Sequence, residues 1–354
     1  MLPWSLGWVL ACANTDSQDS PRLPDEQVEE EVPCVDTFPV HVMPEMPTDY
    51  ETPLPIREDA LPELLSETGL YTDQGDIHQA LIAFTPRWSL WSDGADKVRW
   101  VYIPECSPID SSDADNWELP VGTRLWKEFS VDGQRVETRL MERLGPRPQD
   151  WAYASYLWDQ DGTQARKVGI EGQNQALGTT HNIPSRAECQ ECHGPASKGG
   201  GRPSRSLGFT AIQLDHSDTE TDLNALASRL SEPLESDPLT GPDTTVQALG
   251  VLHANCGSCH NPSRDGLPQS DLDLSLVWGH PLEQAGVFAT AVDQPTQLFA
   301  TPSVRHRILS GDPHGSAVLR RMETRGNSAQ MPPIGTHQVD EEGTAAVRTW
   351  IESL

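Results

Sequence analysis

The sequence predicts an α+β protein in which a Trp-rich antiparallel β domain is followed by a mainly α-helical region. Three observations carry this expectation. Seven of the 11 Trp fall between Trp88 and Trp158, among segments that favour strand. Asp132-Gly133 and Asp161-Gly162 follow such segments as hairpin-turn dipeptides. After His181 the pattern turns helical and irregular, with apolar residues at helical spacing.

The totals bound the possibilities. A length of 354 residues suggests two or three domains and ample chain for a core. With 36% hydrophobic residues, 30 Pro and 27 Gly, a loop-rich fold is favoured over long regular helices. The net charge of −28 excludes nucleic acid and anionic lipid as partners and would steer a basic partner protein toward the surface. Equally, such a charge keeps a protein soluble. No run approaches the roughly 18 apolar residues of a spanning helix.

Residues 1–12 read as an export signal. Leu2 to Ala11 is largely apolar, and Val9-Leu10-Ala11-Cys12 looks like a bacterial lipobox, in which Cys12 becomes a lipid anchor. Against this, no Lys or Arg precedes Arg22, whereas export signals begin with positive charge. Residues 13–68 read as an acidic, Pro-rich linker without apolar periodicity.

Residues 69–180 form the predicted β-rich domain. Val98 to Ile103 is a strand candidate. Asp132-Gly133 lies between Phe129-Ser130-Val131 and Val136-Glu137-Thr138, which predicts a tight hairpin. The Trp residues here are expected in the core, with a partner-docking platform as the other reading.

From residue 181 the expected elements are helical. Ser185 and Glu188 form a candidate capping box immediately before Cys189. Gly199-Gly200-Gly201 reads as a turn, and a short helix is expected near Asp222 to Leu230. Val246, Leu249, Leu252 and Cys256 share one helical face after Asp243. A helix opened by Ser316 would carry Met322. Asp340-Glu341-Glu342 opens a last helix, with Val347, Trp350, Ile351 and Leu354 on one side.

Two stretches carry chemistry: Cys189-Gln190-Glu191-Cys192-His193 and Cys256-Gly257-Ser258-Cys259-His260. Each is C-x-x-C-H, the pattern that attaches a c-type haem. Sulfurs at i and i+3 lie on one helix face and reach the two vinyl groups of one haem, while the next residue offers its imidazole to the iron. With 7 Cys and 11 His in the chain, a given Cys opens such a motif by chance roughly 6 times in 10,000. Zinc is the rival reading. Its C-x-x-C halves usually stand about 15–20 residues apart, whereas Cys192 and Cys256 are 64 positions apart. A thioredoxin-like pair needs one motif in a βαβ context, which the sequence does not offer. Cys34 and Cys106 remain and suit a disulfide in an oxidising compartment, or two unrelated thiols.

On these motifs the chain resembles a bacterial dihaem c-type cytochrome, a group with which it also shares Trp91-Ser92-Asp93-Gly94. The resemblance implies two covalently bound haem c groups, with Cys189, Cys192, Cys256 and Cys259 as attachment points and His193 and His260 as iron ligands. It also implies haem attachment outside the cytoplasm, in the periplasm or at the outer membrane. Residues 242–354 resemble a class I cytochrome c domain, a family whose distal ligand is a Met from a loop before the last helix. Met331 stands at the matching place, with Met322 as rival or as a core residue. Residues 181–241 would be the first haem-attachment segment. Its distal ligand stays open between His181, His216, His253, a residue from elsewhere, and none. The expected function is electron transfer to and from a redox partner. The alternatives are a dihaem peroxidase-type or other haem oxidoreductase, and a binding module built on the Trp-rich part.

Overall fold

Alternating strands need an apolar face on each side if both faces are covered, and the β region of this chain supplies two. The computed structural model describes residues 36, 38, 61–147, 150–193, 206–216, 223–237, 239–262 and 270–354, all within one compact unit, Val35–Leu354. Six strands form an antiparallel meander in the order of the chain: β1 (Ile82–Ala83), β2 (Asp96–Tyr102), β3 (Arg124–Val131), β4 (Gln134–Arg143), β5 (Trp151–Trp158) and β6 (Ala165–Lys167). Asp132 and Gly133 both take positive φ, 49° and 78°, as a two-residue hairpin loop requires.

One face of the sheet packs Trp100, Trp126, Leu140 and Tyr156 against Leu61, Leu65 and Leu70. Two of its buried indoles are paired: Trp126 Nε1 donates to Thr68 Oγ1 at 3.0 Å, and Trp158 Nε1 to Thr138 Oγ1 at 3.0 Å. The opposite face packs Val101 and Tyr153 against Phe84, Trp117, Phe209 and Leu214. Six of the seven Trp residues in this region are buried, and Trp91 is the exception.

The remainder corrects the α+β expectation. The described residues hold about 25% helix and 20% strand, and the chain beyond the sheet is not mainly α-helical. Its helices are α1 (Arg186–His193), α2 (Ala211–Leu214), α3 (Asp243–Leu252), α4 (Gly286–Thr290), α5 (Ala317–Met322) and α6 (Glu341–Ser353), with irregular stretches between them. Frequent Pro and Gly explain the brevity, since one removes a backbone donor and the other adds chain entropy. Around Leu223 to Leu230, where a helix was expected, only a 3₁₀ turn forms, Ala227–Arg229. Leu223, Leu226 and Leu230 nonetheless all reach the core.

α3 and α6 pack together around Leu249, Leu252, Val347, Trp350 and Ile351, while Leu354 is exposed. Trp88 joins this cluster from the segment after β1 and lies directly on Gly250, where a Cβ would stand 2.0 Å from its Nε1. Among the described residues no helix is long and apolar enough to cross a membrane. The expected export signal with Cys12, most of the linker, and the Gly199–Gly201 turn lie outside the described residues. Cys106 is disulfide-bonded, and Cys34 also lies outside them.

Candidate functional site

The first C-x-x-C-H motif occupies α1, whose start is built as the sequence suggests. Ser185 N donates to Glu188 Oε2 at 2.9 Å, and Glu188 N to Ser185 Oγ at 3.3 Å, a reciprocal capping box. α1 leans on β5: Arg186 Nη2 donates to Tyr153 O at 3.2 Å, and the Tyr153 hydroxyl to His193 O at 2.6 Å. The Tyr153 and His193 rings lie 5.9 Å apart. Although packed on the sheet, α1 buries none of its own side chains fully. A cleft of about 240 Å³ opens beside it, lined by Tyr153, Ser155, Val168, Ile170, Arg186 and Cys189.

The second motif sits where α3 loosens. After Leu252 the helix widens into a π turn, His253–Gly257, which contains Cys256. Such turns recur at functional sites because they re-aim side chains within a helix. Cys259 N and His260 N both donate to Cys256 O, at 3.0 and 2.8 Å. Gly257 admits close approach, since a Cβ there would meet Leu274 O at 3.2 Å.

None of the four motif cysteines is in a disulfide. Burial pushes the Cys256 thiol up to about 12, aided by Cys259, and pushes the Cys189 thiol up despite Arg139. A thiol–disulfide exchange pair needs the reverse shift. Among the described residues no three His, Cys, Asp or Glu side chains come together as a metal-ion site.

Met331 belongs to the loop between α5 and α6. It is half-buried, and its N donates to Arg321 O at 3.0 Å. Arg325 braces the loop, donating to Met322 O at 2.8 Å and to Gln338 O at 2.9 Å. Met322 is a core residue, packed with α3 and α6.

What sequence reading missed is how this loop is tied to the second motif. The Asp93 carboxylate accepts from Thr336 Oγ1, His337 N and Gln338 N at 2.8, 2.8 and 2.9 Å. Trp91 Nε1 donates to Gln338 O at 3.0 Å, and Trp91 N donates to Asn255 Oδ1 at 2.7 Å. Asn255 immediately precedes Cys256 and donates back to Val251 O. The Trp91-Ser92-Asp93-Gly94 loop therefore clasps the Met331 loop and the cysteine-bearing turn at once. The sequence signal was Asp93-Gly94 itself, a turn pair whose residues both take positive φ.

The open histidines have other commitments. His181 is buried with Nε2 at 2.7 Å from Glu137 Oε2. His216 Nε2 donates to Thr85 O at 2.8 Å. His253 Nδ1 accepts from Leu276 N at 3.0 Å, and its ring meets Trp88 edge-on. Nothing among known protein families, curated proteins or solved structures matches the chain.

Proposed function

We propose that this protein is an exported dihaem c-type cytochrome that relays single electrons. The observation that carries the reading is the pair of C-x-x-C-H motifs, each on a helix end, with none of the four cysteines in a disulfide. The residues present fit the group. Cys189 and Cys192 sit at i and i+3 on a helix whose side chains stay part-exposed, beside a cleft lined in part by Tyr153. Bound haem would supply the one-electron Fe(III)/Fe(II) couple.

The chain's own residues would do the rest. The four cysteines tether, and His193 and His260 offer imidazole nitrogens. The Asp93 clasp holds the Met331 loop against the second motif. The acidic surface draws a basic redox partner, and Cys12 would anchor the protein to a membrane through lipid, in the periplasm or at the outer membrane. One observation favours a second reading, a dihaem peroxidase-type enzyme: His181 and His216 both spend Nε2 on other partners, which suits a first site with an open iron position.

Expression with a haem-attachment system tests both. The relay reading expects haem stain to persist on a denaturing gel and both irons to be six-coordinate and low-spin. A colourless band refutes the haem assignment, and five-coordinate, high-spin iron assigns the second reading. Met331→Ala should abolish the weak far-red band of Met-ligated ferric haem and lower one potential, because a soft sulfur favours Fe(II). Met322→Ala should keep the band and cost about 2–5 kcal/mol of stability.

A further inference from the structure

Sheet register stacks like charges across three strands. Arg99 on β2 stands opposite Lys127 on β3, and Lys127 stands opposite Arg139 on β4. Directly opposed residues share a face, so three cations form one row, an arrangement that ordinarily destabilises a sheet. The face is the one that carries α1: Ser155, opposite Arg139 on β5, lines the cleft with Cys189. Tyr153 lies two residues along the same strand and reaches His193. A fourth cation, Lys97, stands on this face beside Arg99.

Among the described residues the row lacks a matching negative charge. The carboxylate beside it, Glu137, is already held by Nε and Nη2 of Arg139, at 2.8 and 2.9 Å, and by His181. Arg99 is 6% exposed, and among the described residues its side chain has no hydrogen bond or ion pair. Burial lowers its guanidinium to about 10, and burial with Arg99, Arg139 and Lys97 holds the Lys127 ammonium well below its ordinary range. Lys127 and Arg139 lie 4.9 and 4.4 Å from the Phe129 ring. Such cation–π contacts contribute about 0.5–2 kcal/mol, less than the several kcal/mol of desolvating a buried ion such as Arg99. Stability does not explain the row, and an anion on it would.

The neighbours identify the anion. Arg139 lies within electrostatic reach of the Cys189 and Cys192 sulfurs. A haem tethered to those sulfurs brings two carboxylates on one edge of an apolar plate, and cations repeated at about 4.8 Å strand spacing suit such a pair. We propose that Arg99, Lys127 and Arg139 form the carboxylate-binding floor of the first C-x-x-C-H site and take the propionates of the haem held there. This rests on the haem reading above.

The test uses the full chain, haem-loaded, with potentials read by spectroelectrochemical titration. Arg99→Gln and Lys127→Gln should retain both haems and each lower one of the two potentials, because a lost cation disfavours the more negative reduced state. Arg99→Lys should restore most of the shift, and Arg305→Gln, at an exposed site, should produce none. Haem-loaded Gln variants with both potentials unmoved would overturn the assignment while leaving the haem reading intact. A colourless wild-type chain would remove both. Inorganic phosphate added to the wild type should leave the potentials in place, and a phosphate-dependent shift would overturn the assignment in favour of a free anion.

Discussion

Replacing Asp93 should release the Met331 loop. Its carboxylate receives three donors, two of them backbone amides, and charge-assisted bonds of this kind contribute about 1.5–3 kcal/mol each when measured singly. The donors are not independent, and Thr336 Oγ1 also reaches Gln338 O at 3.0 Å, so the loss is nearer two bonds than three. Asp93 further holds φ at 53°, which costs Ala roughly 1–2 kcal/mol but which Asp and Asn tolerate. Two of these bonds are exposed and lie at the low end of that range, so Asp93→Ala should destabilise by about 4–5 kcal/mol, Asp93→Gly by about 1–2 kcal/mol less, and Asp93→Asn least, since one acceptor oxygen stays. Denaturant unfolding ranks the three variants. In haem-loaded protein the far-red band of Met ligation should fall in the same order. An alanine variant as stable as the asparagine variant, with the band undiminished, would refute the clasp.

Two further outcomes follow from packing and charge. Gly250→Ala drives a methyl against the Trp88 indole and should lower the denaturation midpoint by the equivalent of about 1–3 kcal/mol or more, whereas Gly169→Ala, with no atom within 4 Å of the new carbon, should be close to neutral. Burial pushes the Glu137 carboxyl up, but Arg139 and His181 outweigh it and hold it down at about 2, against an ordinary 4.5. A depressed carboxyl contributes its stability above the ordinary value and loses it as pH falls through the folded one. Glu137→Gln should thus cost about 3–5 kcal/mol at neutral pH and flatten the acid limb of a pH–stability curve between those two values. An acid limb of unchanged slope would show that Glu137 does not carry it.

The two C-x-x-C-H motifs, the Ser185–Glu188 cap and the Asp132-Gly133 hairpin were all legible because each depends on spacing within a few residues. Local dihedral preference and helix or strand period settle such features before any packing occurs. The helical reading of the second half failed for a related reason. Apolar residues at three- and four-residue spacing, as at Leu223, Leu226 and Leu230, serve an irregular segment with a 3₁₀ turn as well as an α-helix when the core alone sets their direction. Tertiary structure alone decided that Asp93 meets Thr336, 243 positions away, and that Trp91 reaches Asn255, 164 away. It also decided that Arg99, Lys127 and Arg139 stand in one row. Register is a property of paired strands, and a shift of one residue would have sent Lys127 to the opposite face. The sequence by itself thus named the side chains with distinctive chemistry, and packing chose the neighbours that hold and charge them.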